Sequence, residues 1–311
     1  MNIQQLEYIV AVDKHRHFIK ASEACFVTQA TLSAMIKKLE DELNVIIFDR
    51  SKFPIQTTVV GASIIEQARI ILSEKQKLFD IVHDNTHNVS GEIKMGIIPT
   101  LAPYLLPLFL NKVVKNYPDL QITISELTTE EIIRQLKHND LDVGILATPL
   151  LDADLKEIVL FYEEFLLYSN DGNKLLKNKL IAPADINPAD ILLMNEGHCL
   201  RTQVLNICDM KKNLTGNIKI NYQSGSVETL KQMVKLNLGS TILPELATRN
   251  MSKSELNYLR RFKSPVPVRE VSLVTYKLMR KQKLIEVLKD TIQGCITSVV
   301  DTVGKKEVIA L

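Results

Sequence analysis

The amino-acid sequence predicts an α/β protein of several domains: a small helical N-terminal domain, one long helix, and two α/β halves. Three observations support this fold class. The chain has 311 residues, which exceeds the size of one typical core. Residues 1–43 place apolar side chains at helical spacing, and residues 61–82 form one long amphipathic pattern. From residue 91 onward, short strand patterns alternate with helical ones, as in α/β domains.

The composition excludes several classes of protein. Hydrophobic residues make up 46% of the chain and charged residues 24%, values typical of a globular protein. No apolar stretch approaches the roughly 18 residues that a transmembrane helix needs, and the N-terminus lacks the pattern of a secretory signal. We therefore expect a cytoplasmic protein that has no membrane partner. Four cysteines are too few for a disulfide scaffold, so any disulfide is expected to be transient.

The first sixty residues predict a winged helix-turn-helix domain. Two short helices, over residues 3–13 and 18–25, precede a third helix for which Thr28 is a suitable N-cap. The buried stripe of this third helix is expected to contain Leu32, Met35, Ile36, Leu39 and Leu43. Asn44 then ends the helix, where a left-handed backbone is commonly required. Residues 45–58 predict a small two-stranded wing.

The polar face of the third helix is predicted to bind operator DNA. Its side chains are small, with amides and hydroxyls for base edges and lysines for phosphate. The predicted DNA-binding residues are Thr28, Gln29, Thr31, Ser33, Lys37, Arg50 and Lys52, the last two in the wing. Residues 1–60 contain seven Lys or Arg and seven Asp or Glu. Affinity for DNA must therefore come from where the charges lie.

Residues 61–90 are predicted to form a long helix and a linker. Apolar residues fall near heptad spacing between residues 61 and 82, which suits a helix that pairs two subunits. Packing of this helix on its own domain is the alternative. His83 and His87 stand four residues apart, but no nearby third ligand completes a metal site. We interpret residues 83–88 as a solvated linker and predict no metal.

Strand and helix patterns alternate through the rest of the chain. The first set contains strands at 91–98, 120–127 and 141–147, with helices at 103–114 and 129–136. Thr128 and Glu131 suggest a capping box for the second of these helices. The second set contains a strand at 190–195, a helix starting near Gly197, a strand at 217–223, a helix at 227–236 and a strand at 239–245. A strand at 268–277 and a helix at 278–299 follow, and the sheet is expected to be mainly parallel.

Two α/β halves imply a cleft between them. We assign residues 91–163 and 268–311 to the first effector subdomain and residues 164–267 to the second. Ligands of such sheets bind at the carboxyl ends of the strands. Thr100 and Thr129 follow predicted strand ends, so both are expected to face the cleft.

The first sixty residues resemble the LysR-type transcriptional regulators. The shared pattern is AS-x(6)-QA-x-LS-x(2)-I-x(2)-LE-x(2)-L, followed by IFDRS and TTVVG. The resemblance covers the whole chain and implies a winged helix-turn-helix, a linker helix and a two-subdomain α/β effector domain like a periplasmic binding protein. It also implies a homo-oligomer, usually a tetramer built as a dimer of dimers, and RNA polymerase as a partner. Ala30, Ala34 and Asn44 depart from the family pattern, which bears on the operator sequence.

Residues 195–203, NEGHCLRTQ, resemble the redox segment of the peroxide-sensing members of that family. The resemblance implies that Cys199 and Cys208 are redox-active and form a reversible disulfide. The residues implied to bind or activate peroxide are Thr100, Thr129, Gly197, His198 and Arg269. No cofactor is implied, and a thiol reductant such as glutaredoxin or thioredoxin is the implied resetting partner. Thr202 stands where the pattern has an acidic residue, a departure that bears on proton handling.

The residues around Cys199 suit thiol chemistry. A thiol reduces peroxide as its thiolate, so neighbouring positive charge or a helix N-terminus is required. His198 and Arg201 flank Cys199, and we expect them and the helix to lower its pKa. If residues 199–208 are helical, nine steps of about 1.5 Å separate the two Cα atoms by roughly 13 Å. A disulfide needs them within about 7 Å, so oxidation must refold this segment.

Three other functions are compatible with parts of the sequence. A regulator of the same family could bind a small metabolite in the cleft, and its cysteines would then be incidental. A thiol peroxidase or a solute-binding protein is a further alternative. The helix-turn-helix argues against both, and a solute-binding protein needs an export signal. We therefore predict a transcription activator of oxidative-stress genes and not an enzyme.

Overall fold

A computed structural model describes residues 1–84, 90–208, 225–277, 281–296 and 306–311. It contains two compact units, residues 1–87 and residues 88–311. The elements of the first unit are α1 (Ile3–His15), α2 (Phe18–Ala24), α3 (Gln29–Leu43), β1 (Phe48–Asp49), β2 (Gln56–Thr57) and α4 (Val59–Asp84). The predicted three helices, two-stranded wing and long helix are confirmed.

Helix α3 begins and ends as the sequence predicts. The Thr28 hydroxyl accepts a hydrogen bond from the Thr31 amide at 3.2 Å, and Asn44 is left-handed with φ 53°. Of the predicted buried stripe, Leu32, Ile36 and Leu39 are fully buried and Met35 is half-buried. The prediction for Leu43 is wrong, since 39% of its surface is exposed.

Glu40 takes the buried position in the last turns of α3 instead of Leu43. Its carboxylate accepts hydrogen bonds from the backbone amides of Ile47 and Phe48 at 2.8 and 3.2 Å, so both amides have a partner where the chain enters the wing. A buried carboxylate is tolerated there because it is fully hydrogen-bonded.

Helix α4 packs on its own domain along its first half. Ile65 and Ala68 are buried in the same core as α1 and α3. A Cβ on Gly61 would lie 2.3 Å from the Ile47 carbonyl oxygen, so only glycine allows this approach of helix and wing. Further along, Leu78 is 66% exposed. Pairing of subunits through this part of α4 stays a prediction, and the side chains of His83 and His87 lie outside the described residues.

The second unit alternates strands and helices through most of its length. Its elements are β3 (Gly91–Ile97), α5 (Ala102–Asn116), β4 (Leu120–Glu126), α6 (Thr129–Lys137), β5 (Val143–Thr148), β6 (Leu155–Tyr168), β7 (Leu180–Ile181), α7 (Cys199–Ile207), α8 (Val227–Lys235), β8 (Thr241–Pro244), α9 (Lys253–Leu256), β9 (Leu259–Phe262), β10 (Val266–Tyr276), α10 (Gln282–Ile296) and β11 (Lys306–Val308).

The described strands of the second unit form one mixed sheet. Its order is β4-β3-β5-β10-β6-β9-β7, with β11 on β10 and β8 on β6. Strand β3 pairs in parallel with β4 and β5, whereas β10 runs antiparallel to β5 and β6. The expectation of a mainly parallel sheet is therefore wrong for the centre, where two long antiparallel strands lie side by side.

The long strands β6 and β10 lie side by side at the centre of this sheet. The first part of β6 pairs with β10, and residues 165–168 pair with β8 and β9. The predicted subdomain boundaries at 163/164 and 267/268 fall inside these two strands. The division into two effector subdomains stays a prediction.

Several predicted elements of the second unit need correction. Residues 190–195 form no continuous strand: only Ile191, which bridges Ser240, and Met194 are bridge residues. The Thr128 hydroxyl caps α6, but the Glu131 carboxylate pairs with Arg134, so only half of the capping box forms. Strands β6, β7, β9 and β11 were not predicted. The predicted strand at 217–223 and the ends of the helix at 278–299 lie outside the described residues. No helix in the described part of the chain is long and apolar enough to cross a membrane.

Candidate functional site

The candidate site is built around the first turn of α7. Gly197 has φ +89°, a left-handed conformation that turns the chain into the helix and that other residues rarely adopt. His198 follows as the N-cap in extended conformation, without a side-chain cap hydrogen bond. Cys199 is the first helical residue and is only 9% exposed. The predicted helix start near Gly197 is confirmed.

Burial raises the pKa of the Cys199 thiol above its usual value, and this effect outweighs those that lower it. The opposing effects come from the Arg269 guanidinium, the Thr129 hydroxyl and the backbone amides of Leu200 and Cys199 at the helix N-terminus. The expected help from the helix N-terminus is therefore present. The expected lowering of the pKa is wrong for the described structure, because the sulfur lies in the hydrophobic core.

The two basic residues beside Cys199 in the sequence do not supply the positive charge that acts on its thiol. Arg201 donates from Nη1 to the Met194 carbonyl at 2.8 Å and so ties α7 to the preceding loop. Burial lowers the pKa of His198 below its usual value, so its imidazole is neutral near pH 7. A neutral imidazole offers one nitrogen that accepts a proton and one that donates, which suits proton transfer.

Arg269 supplies the positive charge from β10. It is fully buried and donates from Nε to Glu163 Oε1 at 2.6 Å. Its terminal nitrogens reach Thr100: Nη1 lies 3.2 Å from the hydroxyl and Nη2 lies 3.4 Å from the carbonyl oxygen. A buried guanidinium requires such partners. The sequence positions of Thr100 and Arg269 are 169 residues apart, and the sheet brings them together.

Thr129 completes the group of polar residues around the sulfur. It begins α6, and its hydroxyl interacts with Cys199. Among the described residues, this buried oxygen has no other hydrogen-bond partner. Four separate segments thus contribute Thr100, Thr129, Cys199 and Arg269 to one place, with hydroxyls and a guanidinium beside a thiol. Such a set can hold a small polar molecule next to the sulfur.

Cys208 lies at the other end of α7. It is the C-cap of the helix and is half-buried, and burial raises the pKa of its thiol to about 12. With the helix intact, the two Cα atoms are roughly 13 Å apart, beyond the reach of a disulfide. All four cysteines are free thiols. Cys25 packs partly buried against the core of the first unit, and Cys295 packs partly buried against the core of the second.

Most of the predicted DNA-binding residues of α3 and the wing are exposed. Thr28, Gln29, Thr31 and Lys37 are exposed, and Ser33 is half-buried. In the wing, Lys52 donates to Gln56 at 3.0 Å. Arg50 donates to Glu40 at 2.9 Å and lies over the Phe18 ring, so it is held in place although exposed. Contact with DNA stays a prediction for each of them.

Two family models together cover most of the chain. Residues 3–62 match the bacterial regulatory helix-turn-helix protein of the lysR family, and residues 86–294 match the LysR substrate binding domain. The chain belongs to the LysR family of transcription regulators. The winged helix-turn-helix and the mixed α/β effector domain are the family's two parts, and the helix-turn-helix is its DNA-binding part.

Similar LysR-family proteins are named for peroxide. The hydrogen peroxide-inducible genes activator of Haemophilus influenzae is 35% identical over 277 residues, which cover 88% of this chain and 90% of that protein. A full-length cysteine variant of OxyR from Pseudomonas aeruginosa superimposes with a TM-score of 0.76 at 32% identity and covers 94% of this chain and 98% of that one. A peroxide-bound cysteine variant of OxyR from Corynebacterium glutamicum has a TM-score of 0.62 at 26% identity, with 96% and 95% covered.

Sequence reasoning missed several buried polar residues of this LysR-family site. Glu163, the partner of Arg269, lies in the unpredicted strand β6. Beside it, the Tyr104 hydroxyl and the Lys231 ammonium both donate to the Glu228 carboxylate, at 2.7 and 2.8 Å. Lys231 is 5% exposed, although lysine usually signals a surface. The sequence contains one signal for such buried polar residues, since the charged Glu163 and Glu164 interrupt an apolar run.

Proposed function

We propose that this LysR-family regulator acts in the cytoplasm as a peroxide sensor. Peroxide oxidises Cys199, which then forms a reversible disulfide with Cys208, and the change alters operator binding and the activation of oxidative-stress genes. The observation that carries the proposal is the placement of Cys199 at the start of α7, beside the Thr129 hydroxyl and the Arg269 guanidinium. The names of the similar proteins agree with it.

The first step converts the thiol to a sulfenic acid. The Cys199 proton leaves through His198 or a threonine hydroxyl, and the thiolate attacks one peroxide oxygen. The O–O bond breaks, and the departing oxygen takes up the proton to become water. Thr100, Thr129 and Arg269 hold the two oxygens in line, while Gly197 permits the turn that aims the sulfur. Since burial raises the Cys199 pKa, the Arg269 charge stabilises a thiolate that is otherwise a minor form.

The second step makes the switch. The Cys208 thiol attacks the sulfenic acid sulfur, which releases water and forms the disulfide. Helix α7 must unwind for the two sulfurs to meet. A segment with two discrete arrangements changes how subunits pack. Within a tetramer built as a dimer of dimers, this repositions the DNA-binding domains on the operator for RNA polymerase. A thiol reductant such as glutaredoxin or thioredoxin reverses the reaction.

Counting thiols after treatment with one equivalent of hydrogen peroxide tests the proposal. We expect a loss of two thiols, mapped by mass spectrometry to Cys199 and Cys208. Cys199→Ser should abolish the response, whereas Cys295→Ser should keep it. Oxidation confined to Cys25 or Cys295 would overturn the mechanism. A response to a metabolite that survives Cys199→Ser would favour the metabolite sensor, and many turnovers with a thiol reductant would favour a peroxidase.

Footprinting on operator DNA tests the second half of the proposal. The reduced and oxidised proteins should protect segments of different length, because the DNA-binding domains move along the operator. Footprints of the same length in both states would show that thiol oxidation does not move the DNA-binding domains along the operator.

A further inference from the structure

The Arg269 side chain depends on one carboxylate for its orientation. Arg269 and Glu163 are direct cross-strand partners in the antiparallel pair of β10 and β6. Both side chains are fully buried. Glu163 Oε1 accepts Arg269 Nε at 2.6 Å, and Glu163 Oε2 accepts the Leu246 amide at 2.9 Å. Each carboxylate oxygen therefore has one fixed partner, which leaves little freedom for the pair.

We propose that Glu163 is a positioning residue for the peroxide reaction. It holds the guanidinium by its Nε edge, so that the two terminal nitrogens face Thr100 and the space beside Cys199. The Glu163 carboxylate also neutralises the positive charge of Arg269. The Cys199 thiol therefore stays mostly protonated until a substrate binds. This inference rests on the proposed function.

Other titratable groups surround the same place. They are Tyr104 on α5, Glu228 and Lys231 on α8, His198 before α7, and Glu245, which follows β8 and pairs with Arg261. Glu228 and Lys231 pair with each other, so the net charge near Cys199 is set mainly by Glu163 and Arg269. Replacing Glu163 by Gln keeps the size of the side chain and removes one negative charge. The Cys199 pKa should then fall, because Arg269 is no longer neutralised.

Glu164 provides a matched control on the same strand. It is 3% exposed and pairs with Arg261, away from Arg269. Glu164→Gln thus also removes one buried carboxylate from β6 without touching the Arg269 pair. General destabilisation of the strand would affect both variants alike.

The experiment measures the pH dependence of Cys199 alkylation in the full chain with the other three cysteines replaced by Ser. We expect Glu163→Gln to move the midpoint to lower pH and Glu164→Gln to leave it unchanged. Glu163→Asp keeps the charge but shortens the reach, so its midpoint should stay while its peroxide rate falls about tenfold or more. An unchanged midpoint in Glu163→Gln, or an equal shift in Glu164→Gln, would overturn the inference. Alkylation needs no peroxide, so the effect of Glu163 on Cys199 is measured independently of whether the protein senses peroxide.

A different observation concerns the side of α7 that contacts the 306–311 segment. Gln203 is fully buried and donates from Nε2 to the Ile309 carbonyl at 3.3 Å. Asn206 donates from Nδ2 to the Ala310 carbonyl at 3.0 Å. The 306–311 segment also pairs with β10: Val308 lies beside Val268, and the Ile309 amide donates to the Val268 carbonyl at 2.9 Å. The segment therefore connects the helix between the two cysteines to the strand that carries Arg269.

We infer that the 306–311 segment is a latch that holds α7 in its helical, reduced form. Both amide side chains lie between Cys199 and Cys208, so unwinding the helix must break their bonds to Ile309 and Ala310. In exchange with oxidised glutathione, two cysteine thiols become one disulfide and two glutathione thiols form. Loss of the latch should shift this equilibrium toward the disulfide.

A double-mutant cycle isolates the latch. Asn206→Ala is made in the full chain and in a chain lacking residues 306–311, and the disulfide fraction is measured in graded glutathione buffers. The effect of Ala on helix propensity is common to both backgrounds and cancels. We expect the effect of Asn206→Ala on the equilibrium to differ by about fivefold between them. The same effect in both backgrounds would overturn the inference.

Hydrogen exchange of the unaltered protein provides a second measurement. The Ile309 amide should be protected in the reduced protein and exchange faster after disulfide formation, because its anchoring to α7 is lost. Protection that stays the same in both redox states would also overturn the latch.

Discussion

Thr202, in the middle of α7, allows a direct test of whether the helix unwinds when the disulfide forms. Its side chain is half-exposed, so substitutions there disturb little packing. Ala at a helix position is favoured over Gly by about 1 kcal/mol. If the oxidised form has no helix here, this difference acts only on the reduced protein. The dithiol form should then be favoured about fivefold more in Thr202→Ala than in Thr202→Gly, which corresponds to about 20 mV in a two-electron couple.

The assay compares the two variants in glutathione buffers of graded ratio. Cys25 and Cys295 are replaced by Ser, the mixtures are trapped with acid, and the disulfide fraction is measured by mass spectrometry. The midpoint of Thr202→Ala should lie at the more oxidising ratio.

Asp290 in α10 provides the control. It is 74% exposed, and Ala and Gly there should differ in the free energy of unfolding without a difference in the redox midpoint. Coincident midpoints for the two Thr202 variants would refute the reasoning, since the helix would then persist in the oxidised protein.

Three further predictions concern other parts of the chain. Asn44→Gly should raise the free energy of unfolding by about 1 kcal/mol, because Asn44 is left-handed with φ 53° and glycine adopts that conformation without strain; denaturant unfolding that shows no gain would contradict this. Lys37→Ala should weaken operator binding. It should also reduce the magnitude of the slope of log K against log salt concentration by about one for each Lys37 that contacts phosphate, which is measured by titrations at several salt concentrations. An unchanged slope would remove Lys37 from the interface. Burial raises the pKa of Cys208 to about 12, so its thiolate fraction near neutral pH is small and iodoacetamide should modify it far more slowly than in urea. Equal rates in the folded and unfolded chain would show that the thiol is accessible.

Local signals in the sequence predicted the elements of the N-terminal unit. Thr28 and Asn44 mark the ends of α3 by their own backbone preferences, and periodicity identifies the face that Leu32 and Ile36 bury. Leu43 was misplaced because periodicity does not register a hydrogen-bonded carboxylate, and Glu40 is buried in its stead.

The long strand β6 shows why the centre of the second unit was not predicted. Glu163 and Glu164 interrupt its apolar pattern, and a carboxylate usually indicates a surface position. Both are buried because Arg269 and Arg261 reach them from β10 and β9. Such pairing depends on strand register, which only the folded sheet supplies. For the same reason, the residues of the candidate site were identified by resemblance, while their contacts required the structure.

The distance between the two ends of α7 has a consequence for the timing of the proposed switch. Cys208 is half-buried and protonated at the far end of an intact helix, so it cannot capture the sulfenic acid at the moment that the acid forms. The oxidised sulfur must wait for a helix opening, and during that interval a second peroxide molecule competes with Cys208. At low peroxide the opening wins and the signal is reversible. In the proposed mechanism, a second oxidation at high peroxide converts the sulfenic acid to a form that Cys208 cannot resolve. The peroxide range of the proposed response then has an upper limit, set by how long α7 stays helical after the first oxidation.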